Sequence, residues 1–280
     1  MAGTLYLVPT PIGNLGDISR RAADTLAQAD FVAAEDTRVS LKLLNHLELK
    51  KPLVSYYRHN TETAGPAILK RILAGESCAL VTDAGTPAIS DPGEDLVALC
   101  VEHGVDVISI PGPCALVTAL AVSGLPTGRF TFEGFLATNK KNRRAHLDGL
   151  RTEERTMILY EAPHKLRATL SDLCGAFGPG RRVSLCRELT KLHEEVLRTT
   201  LGGAVEHYAE REPKGEFVLV VEGAPPAVPE AVSPADALRR VEELRAEGRS
   251  LKEAARIAAE ELSLPKNKLY DLALGKGGWQ

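Results

Sequence analysis

The residues best suited to chemistry form a small-residue loop after an apolar run. Cys78–Val81 is followed by residues 82–87 (TDAGTP), and Asp91 is expected to cap the next helix, with Pro92 in its first turn. Small residues let a ligand approach the backbone, and free N–H groups there can donate hydrogen bonds. Either this loop binds a ligand, or its glycine and proline only punctuate a strand-to-helix turn. Likewise, Asp83 either touches the ligand or braces the loop.

Two further small-residue loops follow apolar runs, and the three loops together predict one cleft. Residues 10–14 (TPIGN) follow the run 5–8, and residues 111–115 (PGPCA) follow the run 105–110. In open α/β sheets, ligands bind beyond the carboxyl ends of the strands. The cleft is therefore expected near 10–14, 83–89 and 111–115.

Several common site motifs are missing from the sequence. No Gly-x-Gly-x-x-Gly follows a strand, no phosphate-binding loop ends in Gly-Lys-Ser/Thr, and no Gly-x-Ser-x-Gly nucleophile elbow occurs. The histidines and cysteines lack metal-ligand spacing, so no metal site is predicted. The residues alone thus predict a cleft without naming its ligand.

The elements around these loops predict an α/β fold in which two α/β domains enclose the cleft. Regular alternation of strands and helices over 1–125 predicts a mostly parallel sheet with helices on its faces. Residues 126–224 contain several strands joined by short loops, which predicts a mixed second sheet. The proline-rich stretch 225–234 is typical of a stiff linker. Residues 235–280 form a three-helix pattern, which is either helix-turn-helix-like or a small helical appendage.

Three boundary predictions depend on local signals. The first helix is expected to begin at Ile18 with Asp17 as its cap. The third helix is expected to begin at Ala67, after the Gly-Pro pair at 65–66. The basic stretch 137–144 is expected to be a loop that leaves the first strand of the second domain.

The composition is ordinary for a globular protein of two domains. The 280 residues are 44% hydrophobic and carry a formal net charge of −3, so a polyanion site would have to be a local patch. No run approaches the ~18 apolar residues of a membrane span, and no signal peptide is evident, so no membrane contact is expected. Five cysteines without paired spacing predict reduced thiols and a cytoplasmic location.

A series of segments, in order along the chain, resembles the bacterial ribosomal RNA small-subunit methyltransferase I family of the tetrapyrrole methylase-like (class III) methyltransferases. These segments are LVPTPIGNLGDISRRA, AAEDTR, YYRHN, VTDAGTPAISDPG, IPGPCA, FEGFL, YEAPHK, CRELTK and KGEFVLVVEG. The resemblance spans about 3–223, and the tail resembles the family's helix-turn-helix domain. Departures are small: Thr82 stands where the family commonly has serine, and 137–144 keeps the basic character without the usual proline.

The resemblance implies a function as well as a fold. It implies S-adenosylmethionine bound between the two domains, and 2′-O-methylation of a cytidine in the decoding region of 16S rRNA of the 30S subunit. A homodimer is implied in the same way.

The resemblance also places the cofactor against the cleft loops and two strand ends of the second domain. The residues concerned are Pro9, Ile12, Gly85, Thr86, Ile89, Cys114, Ala115, Tyr160, Glu161, Ala162, Arg187, Glu188 and Leu189. Cys114 is alternatively a small buried filler, and the pairs at 160–161 and 187–188 are alternatively an ion-paired brace. A ribose hydroxyl is a poor nucleophile, so a base or strong acceptor is expected nearby. The catalytic candidates are Glu161, His164 and Arg187, with the choice left open.

The predicted RNA-binding residues are basic and polar side chains from two segments. They are Arg58, His59, Lys140, Lys141, Arg143 and Arg144. The alternative is a solvated charged face.

Other functions share some of these features. A methylase of a tetrapyrrole or of a protein would have the same fold by resemblance, and a DNA-binding regulator would use the helical tail. The basic stretch favours RNA over a porphyrin. Nearly balanced charge in 235–280 argues against a role in DNA binding alone, which needs a strongly basic face.

Overall fold

The computed structural model describes residues 2–226, 233–262 and 264–275. The chain forms two compact units, Met1–Ala224 and Pro225–Gln280. Most of the predicted linker 225–234 lies outside the described residues.

The first sheet is parallel, with strand order β3-β2-β4-β1-β5. Its strands are β1 (Thr4–Leu7), β2 (Phe31–Ala34), β3 (Leu53–Ser55), β4 (Cys78–Val81) and β5 (Asp106–Ser109). The helices of this half are α1 (Arg20–Gln28), α2 (Thr37–His46), α3 (Thr61–Leu73), α4 (Glu94–Glu102) and α5 (Ala115–Val122). Strands β2 and β4 are buried along their whole length, because helices cover both faces of a parallel sheet. Phe31 packs in one core cluster and its neighbour Val32 in the opposite one.

The second sheet is mixed, with strand order β6-β7-β10-β8-β9. Its strands are β6 (Phe130–Gly134), β7 (Thr156–Glu161), β8 (Arg182–Arg187), β9 (Glu195–Thr200) and β10 (Phe217–Val221), and its helices are α6 (Lys140–Gly149), α7 (Pro163–Phe177) and α8 (Leu201–Glu210). Strands β6 and β7 pair in parallel, and the other pairs are antiparallel. Helix α5 packs here, with Ala119 and Leu120 in one cluster with Ile158 and Val220. The loop between β5 and α5 therefore lies next to the second sheet. The two sheets with their helices confirm the predicted α/β fold.

Helix α1 begins after Ser19 rather than after Asp17. The Ser19 hydroxyl accepts a hydrogen bond from the Ala22 N–H group at 3.1 Å, and the 3-10 turn Leu15–Asp17 precedes it. The predicted start at Ile18 is therefore wrong, because Ser19 rather than Asp17 caps the free N–H groups of the first turn of α1.

Helix α3 begins at Thr61, well before the predicted start at Ala67. The Gly-Pro pair that suggested a boundary lies inside the helix. Gly65 is buried, and a Cβ there would lie 3.8 Å from Leu99 and 3.9 Å from Tyr56. Burial of the helix face that includes Gly65, Ile68 and Ile72 therefore overrides the local breaker signal.

Helix α4 begins at Glu94, and its N-cap is Gly93 with a φ of +147°. The prediction that Asp91 caps this helix is wrong, because Asp91 and Pro92 lie in the loop before it. Within that loop Ala88 and Ser90 both have a φ of +66°. These left-handed residues redirect the chain, so the helix starts later than its sequence suggests.

The basic stretch forms the start of helix α6 rather than a loop. The Asn139 side-chain oxygen accepts hydrogen bonds from the N–H groups of Lys141 at 3.0 Å and Asn142 at 3.2 Å. An asparagine in this position is an effective N-cap. The loop prediction is corrected accordingly, and the cations are spaced along a helix.

The C-terminal unit contains α9 (Pro234–Ala246), α10 (Leu251–Glu261) and α11 (Lys266–Ala273). Ser250 and Glu253 form a reciprocal capping box at the start of α10. The core contains Val241, Ala258 and Leu269, as expected for the predicted three-helix pattern. Across the described residues, the search for a helix of membrane-spanning length and hydropathy finds none.

Candidate cofactor site and basic groove

A cavity of about 480 Å³ lies at the ends of strands from both sheets. Its lining residues are Ile12, Ala84, Gly85, Thr86, Ile89, Ser90, Asp91, Cys114, Ala115, Phe135, Tyr160, Glu161, Ala162, Pro163, Cys186, Leu189, Glu216, Phe217 and Val218. A largely apolar wall with a few polar groups is typical of a small-molecule site, as is this volume. Among the described residues, no group of three or more His, Cys, Asp or Glu side chains is arranged to hold a metal ion.

Most of the predicted cofactor residues meet in this cavity. Those that line it are Ile12, Gly85, Thr86, Ile89, Cys114, Ala115, Tyr160, Glu161, Ala162 and Leu189. Pro9, Arg187 and Glu188 are not among the lining residues. The Arg187 guanidinium bonds to a Glu195 oxygen at 3.0 Å, and the Glu188 carboxylate accepts from the Lys191 ammonium at 2.8 Å. Strand β9 therefore holds the Arg187 side chain, and Lys191, in the turn between β8 and β9, holds that of Glu188.

Gly85 joins the first two cleft loops through its backbone. Its N–H group donates to the Thr10 carbonyl at 3.0 Å, and its own carbonyl accepts from the Thr10 N–H group at 2.9 Å. Its φ of +87° is one that residues with a Cβ rarely adopt. The sequence predicts that backbone N–H groups of this loop are free to bind a ligand. The N–H group of Gly85 is not free, because it bonds to the Thr10 carbonyl.

The third cleft loop is tied to the second by a side chain. The Thr86 hydroxyl donates to the Pro113 carbonyl at 2.9 Å. Cys114, one residue later, is the N-cap of α5 and lines the cavity while half-buried. The three loops therefore form one connected wall, as the sequence predicted.

Tyr160 closes the cavity from the second sheet. Its hydroxyl oxygen accepts a hydrogen bond from the Leu116 N–H group at 3.1 Å. Its ring makes edge contacts with Phe132 and Phe135, at 4.9 and 5.7 Å between centroids. Burial raises the pKa of Tyr160, so its hydroxyl stays protonated at neutral pH. Tyr160 thus links the second sheet to the start of α5.

The three catalytic candidates lie in different surroundings. Glu161 is buried and lines the cavity, but one carboxylate oxygen accepts from the Ala162 N–H group at 2.9 Å and the other from the Thr169 hydroxyl. His164 is exposed and does not line the cavity. Arg187 is held by Glu195, as described above. Of the three candidates, the structure places only Glu161 at the cavity.

Several lining residues were missed from sequence. Asp91 belongs to one of the resembling segments, where the sequence predicts a helix cap, and Phe135 belongs to the segment FEGFL but is not among the predicted site residues. Phe217 and Val218 enter from strand β10, where only the strand pairing brings them to the site. Asp83 is now assigned as a brace, since its carboxylate accepts from the Asp36 N–H group at 3.1 Å and does not line the cavity.

A second, basic groove of about 790 Å³ lies between helices α6 and α7. Its charged lining residues are Lys140, Arg143, Arg144, Asp148, Arg151, Lys165 and Asp172. Cations outnumber carboxylates in this set. Of the cations, Arg151 and Lys165 are not among the RNA-binding residues predicted from the sequence.

The predicted RNA-binding residues are only partly brought together by the groove. Arg143 lines it but is mostly buried, and its guanidinium pairs with Asp172 at 2.5 Å. Lys141, Arg58 and His59 are exposed and do not line it. The groove therefore unites three of the predicted residues: Lys140, Arg143 and Arg144.

Comparison with known proteins identifies the fold and the family. The family model of tetrapyrrole (corrin/porphyrin) methylases matches residues 4–205, and that of the RsmI C-terminal HTH domain matches residues 231–277. The solved structure of uroporphyrin-III C-methyltransferase from Thermus thermophilus, complexed with S-adenosylhomocysteine, aligns with a TM-score of 0.55 at 20% identity. That alignment covers 78% of this chain and 97% of that chain. At this identity it shows the fold alone.

Two curated relatives match over almost their whole length. The chain is 49% identical to ribosomal RNA small subunit methyltransferase I of Synechocystis sp., covering 97% of this chain and 98% of the relative. It is also 49% identical to the protein of the same name from Halalkalibacterium halodurans, covering 96% of this chain and 94% of the relative. The chain therefore belongs to the ribosomal RNA small subunit methyltransferase I family, within the S-adenosylmethionine-dependent tetrapyrrole methylases.

Proposed function

We propose that this protein transfers a methyl group from S-adenosylmethionine to the 2′-hydroxyl of a cytidine in 16S rRNA, with the 30S subunit as substrate. The observation that carries the proposal is 49% identity to a small-subunit rRNA methyltransferase across nearly the full length of both chains. The α6–α7 groove supports an RNA substrate, because a cationic surface is what a phosphate backbone requires.

The cavity suits the cofactor in size and character. Its wall combines apolar residues such as Ile12, Leu189 and Phe217 with the loops joined by Gly85 and Thr86. Bound S-adenosylmethionine supplies an electrophilic methyl group on a sulfonium cation. Apolar side chains such as Ile12, Leu189 and Phe217 disfavour water beside a bound cofactor, which favours attack by a ribose oxygen held in line.

The direct test is methyl transfer from labelled S-adenosylmethionine. We expect label to enter 16S rRNA of 30S particles isolated from a bacterium lacking this methyltransferase. Nuclease digestion should then yield a 2′-O-methylcytidine, which mass spectrometry identifies. Particles that already carry the modification are the matched control and should take up no label. Label on the base, or on a tetrapyrrole instead of rRNA, would contradict the proposal.

We further propose that the protein is a homodimer in the bacterial cytoplasm, where ribosomal subunits are its substrates. Light scattering at micromolar concentration should give twice the mass of the 30.1 kDa chain. A mass of one chain over that range would refute the dimer while leaving the methyltransferase proposal intact.

A further inference from the structure

Phe135 is an exposed aromatic side chain at the open side of the cofactor cavity. It lines the cavity, yet it is 56% exposed. The other two aromatic lining residues differ from it. Phe217 is buried in strand β10, and Tyr160 is only partly exposed, with its hydroxyl held by the Leu116 N–H group. Among the described lining residues, Phe135 is therefore the aromatic ring most open to a substrate arriving from solvent.

A bulge in strand β6 sets the direction of Phe135. The pairing of β6 with β7 shifts register between Phe132 and Gly134, and Gly134 has a φ of +60°. Bulges bend a strand and re-aim its side chains, often next to a functional site. On either side of Phe135, Phe132 and Leu136 pack into two different core clusters. These anchors fix the chain on both sides of the exposed ring.

The neighbours of Phe135 leave its ring available. Its centroid lies 5.7 Å from that of Tyr160 in an edge contact, and one such contact covers at most one face of the Phe135 ring. The end of β6 packs against the β4–α4 loop, since a Cβ added at Gly134 would lie 3.6 Å from the Ser90 hydroxyl oxygen. Ile89 of that loop also lines the cavity and is 39% exposed. The open side of the cavity thus offers a flat aromatic surface and an apolar neighbour, which suits a planar group.

The chain runs from Phe135 directly into the α6–α7 groove. Thr138 and Lys140 line that groove, and Thr138 comes three residues after Phe135. Three residues span at most about 11 Å, so the cavity opening and the groove are neighbouring parts of one surface. A nucleic acid whose phosphates lie in the groove can therefore place a base at Phe135.

The proposed reaction requires the target ribose to reach the methyl donor inside the cavity. In folded RNA the base of that nucleotide is stacked on its neighbours. Bringing the ribose into the cavity draws the base out of its stack, and unstacking costs free energy. Proteins that bind unstacked bases commonly stack them on aromatic side chains, which offsets this cost.

We propose that Phe135 stacks against the base of the target nucleotide and thereby holds its ribose at the methyl donor. This inference rests on the proposed function. Stacking needs only a planar π face, so it tolerates any base. Phe135 therefore positions the nucleotide and does not select cytosine.

The test compares Phe135→Ala, Phe135→Leu and Phe135→Tyr in the methylation of unmodified 30S particles. Loss of one base–aromatic stack should lower kcat/KM of the alanine variant at least about fivefold. Leucine keeps an apolar side chain without an aromatic face, so Phe135→Leu should show a similar loss. Tyrosine keeps the ring, so Phe135→Tyr should methylate at close to the wild-type rate.

Two further measurements separate stacking from other roles of the ring. Calorimetry should give all three variants close to wild-type affinity for S-adenosylmethionine, because the ring is assigned to the substrate. The ratio of kcat/KM between Phe135→Ala and wild type should also be the same at low and high salt. Stacking differs in this respect from a phosphate contact, whose loss changes the salt dependence.

Phe130→Ala is the matched control, because it removes the same kind of side chain from the same strand. Phe130 is 38% exposed and does not line the cavity. The control should keep wild-type kcat/KM, and circular dichroism should show that all variants are folded, since both phenylalanines are exposed.

Three results would overturn the stacking role while the proposed function stands. Wild-type kcat/KM in Phe135→Leu would show that the ring is only part of an apolar wall. A large loss of cofactor affinity in Phe135→Ala would assign the ring to the cofactor site, and an equal loss of activity in Phe130→Ala would indicate a general effect on β6. A wild-type protein that leaves unmodified 30S particles unlabelled would overturn both proposals.

Discussion

Replacing Gly85 with leucine should lower the affinity for S-adenosylmethionine by about 5- to 140-fold. A Cβ at Gly85 would lie 3.4 Å from Ile12 and 3.9 Å from the Pro113 carbonyl oxygen. Gly85 and Ile12 both line the cavity, so a leucine side chain at this position would occupy space needed by the cofactor. Overpacking of this kind typically costs about 1–3 kcal/mol, and each 1.4 kcal/mol is tenfold in affinity. Isothermal titration calorimetry measures the loss directly.

The fold should survive this change. The link between the two loops uses only backbone groups of Gly85 and Thr10, and a side chain does not remove them. What remains is the strain of placing leucine at a φ of +87°, about 1–2 kcal/mol for a left-handed residue. Circular dichroism and thermal unfolding should therefore show a destabilised but folded protein.

Gly104→Leu provides a matched control for that strain. Gly104 has a φ of +67°, and a Cβ there would meet nothing within 4 Å. The variant should lose similar stability yet keep wild-type cofactor affinity. If Gly85→Leu also binds the cofactor normally, the loop is only a turn and its motif has no role in binding.

The sequence predicted the outline of the fold because the signals were local and repeated. Buried runs such as Cys78–Val81 end in a small-residue loop, and strand–helix alternation implies a parallel sheet. The failures came where distant packing overrides local preference. Gly65 and Pro66 look like a boundary but lie inside α3, because the buried face of that helix extends from Gly65 to Ile72.

Part of the cavity could also be predicted, because some of its residues lie in local sequence patterns. Residues such as Thr86 and Cys114 follow strands and could be placed at a sheet edge from the pattern alone. Asp91 could not, because its position depends on the left-handed conformations of Ala88 and Ser90, which no local propensity favours. Val218 lines the cavity through pairing of β10 with β7 and β8, a contact between segments distant in sequence.

Removing two cations from the α6–α7 groove should weaken binding to 30S particles and flatten its salt dependence. Within the described residues, neither Lys140 nor Lys165 takes part in an ion pair, so both ammonium groups are available to phosphates. Each phosphate contact releases counterions, and losing one should reduce the slope of log affinity against log salt by about 0.7–0.9. Arg143 is a poor choice for this test, because its pairing with Asp172 holds α6 against α7.

The variant Lys140→Ala/Lys165→Ala should therefore lose affinity at low salt and approach wild type at high salt. Its affinity for S-adenosylmethionine should not change, since neither lysine lines the cofactor cavity. The control is Lys50→Ala/Lys70→Ala, which removes the same charge from exposed positions in the first half of the chain. An equal loss in both variants would indicate only a change in net charge. A wild-type salt slope in the groove variant would show that the α6–α7 surface is merely solvated, and the RNA contacts would then be sought around Arg58 and His59.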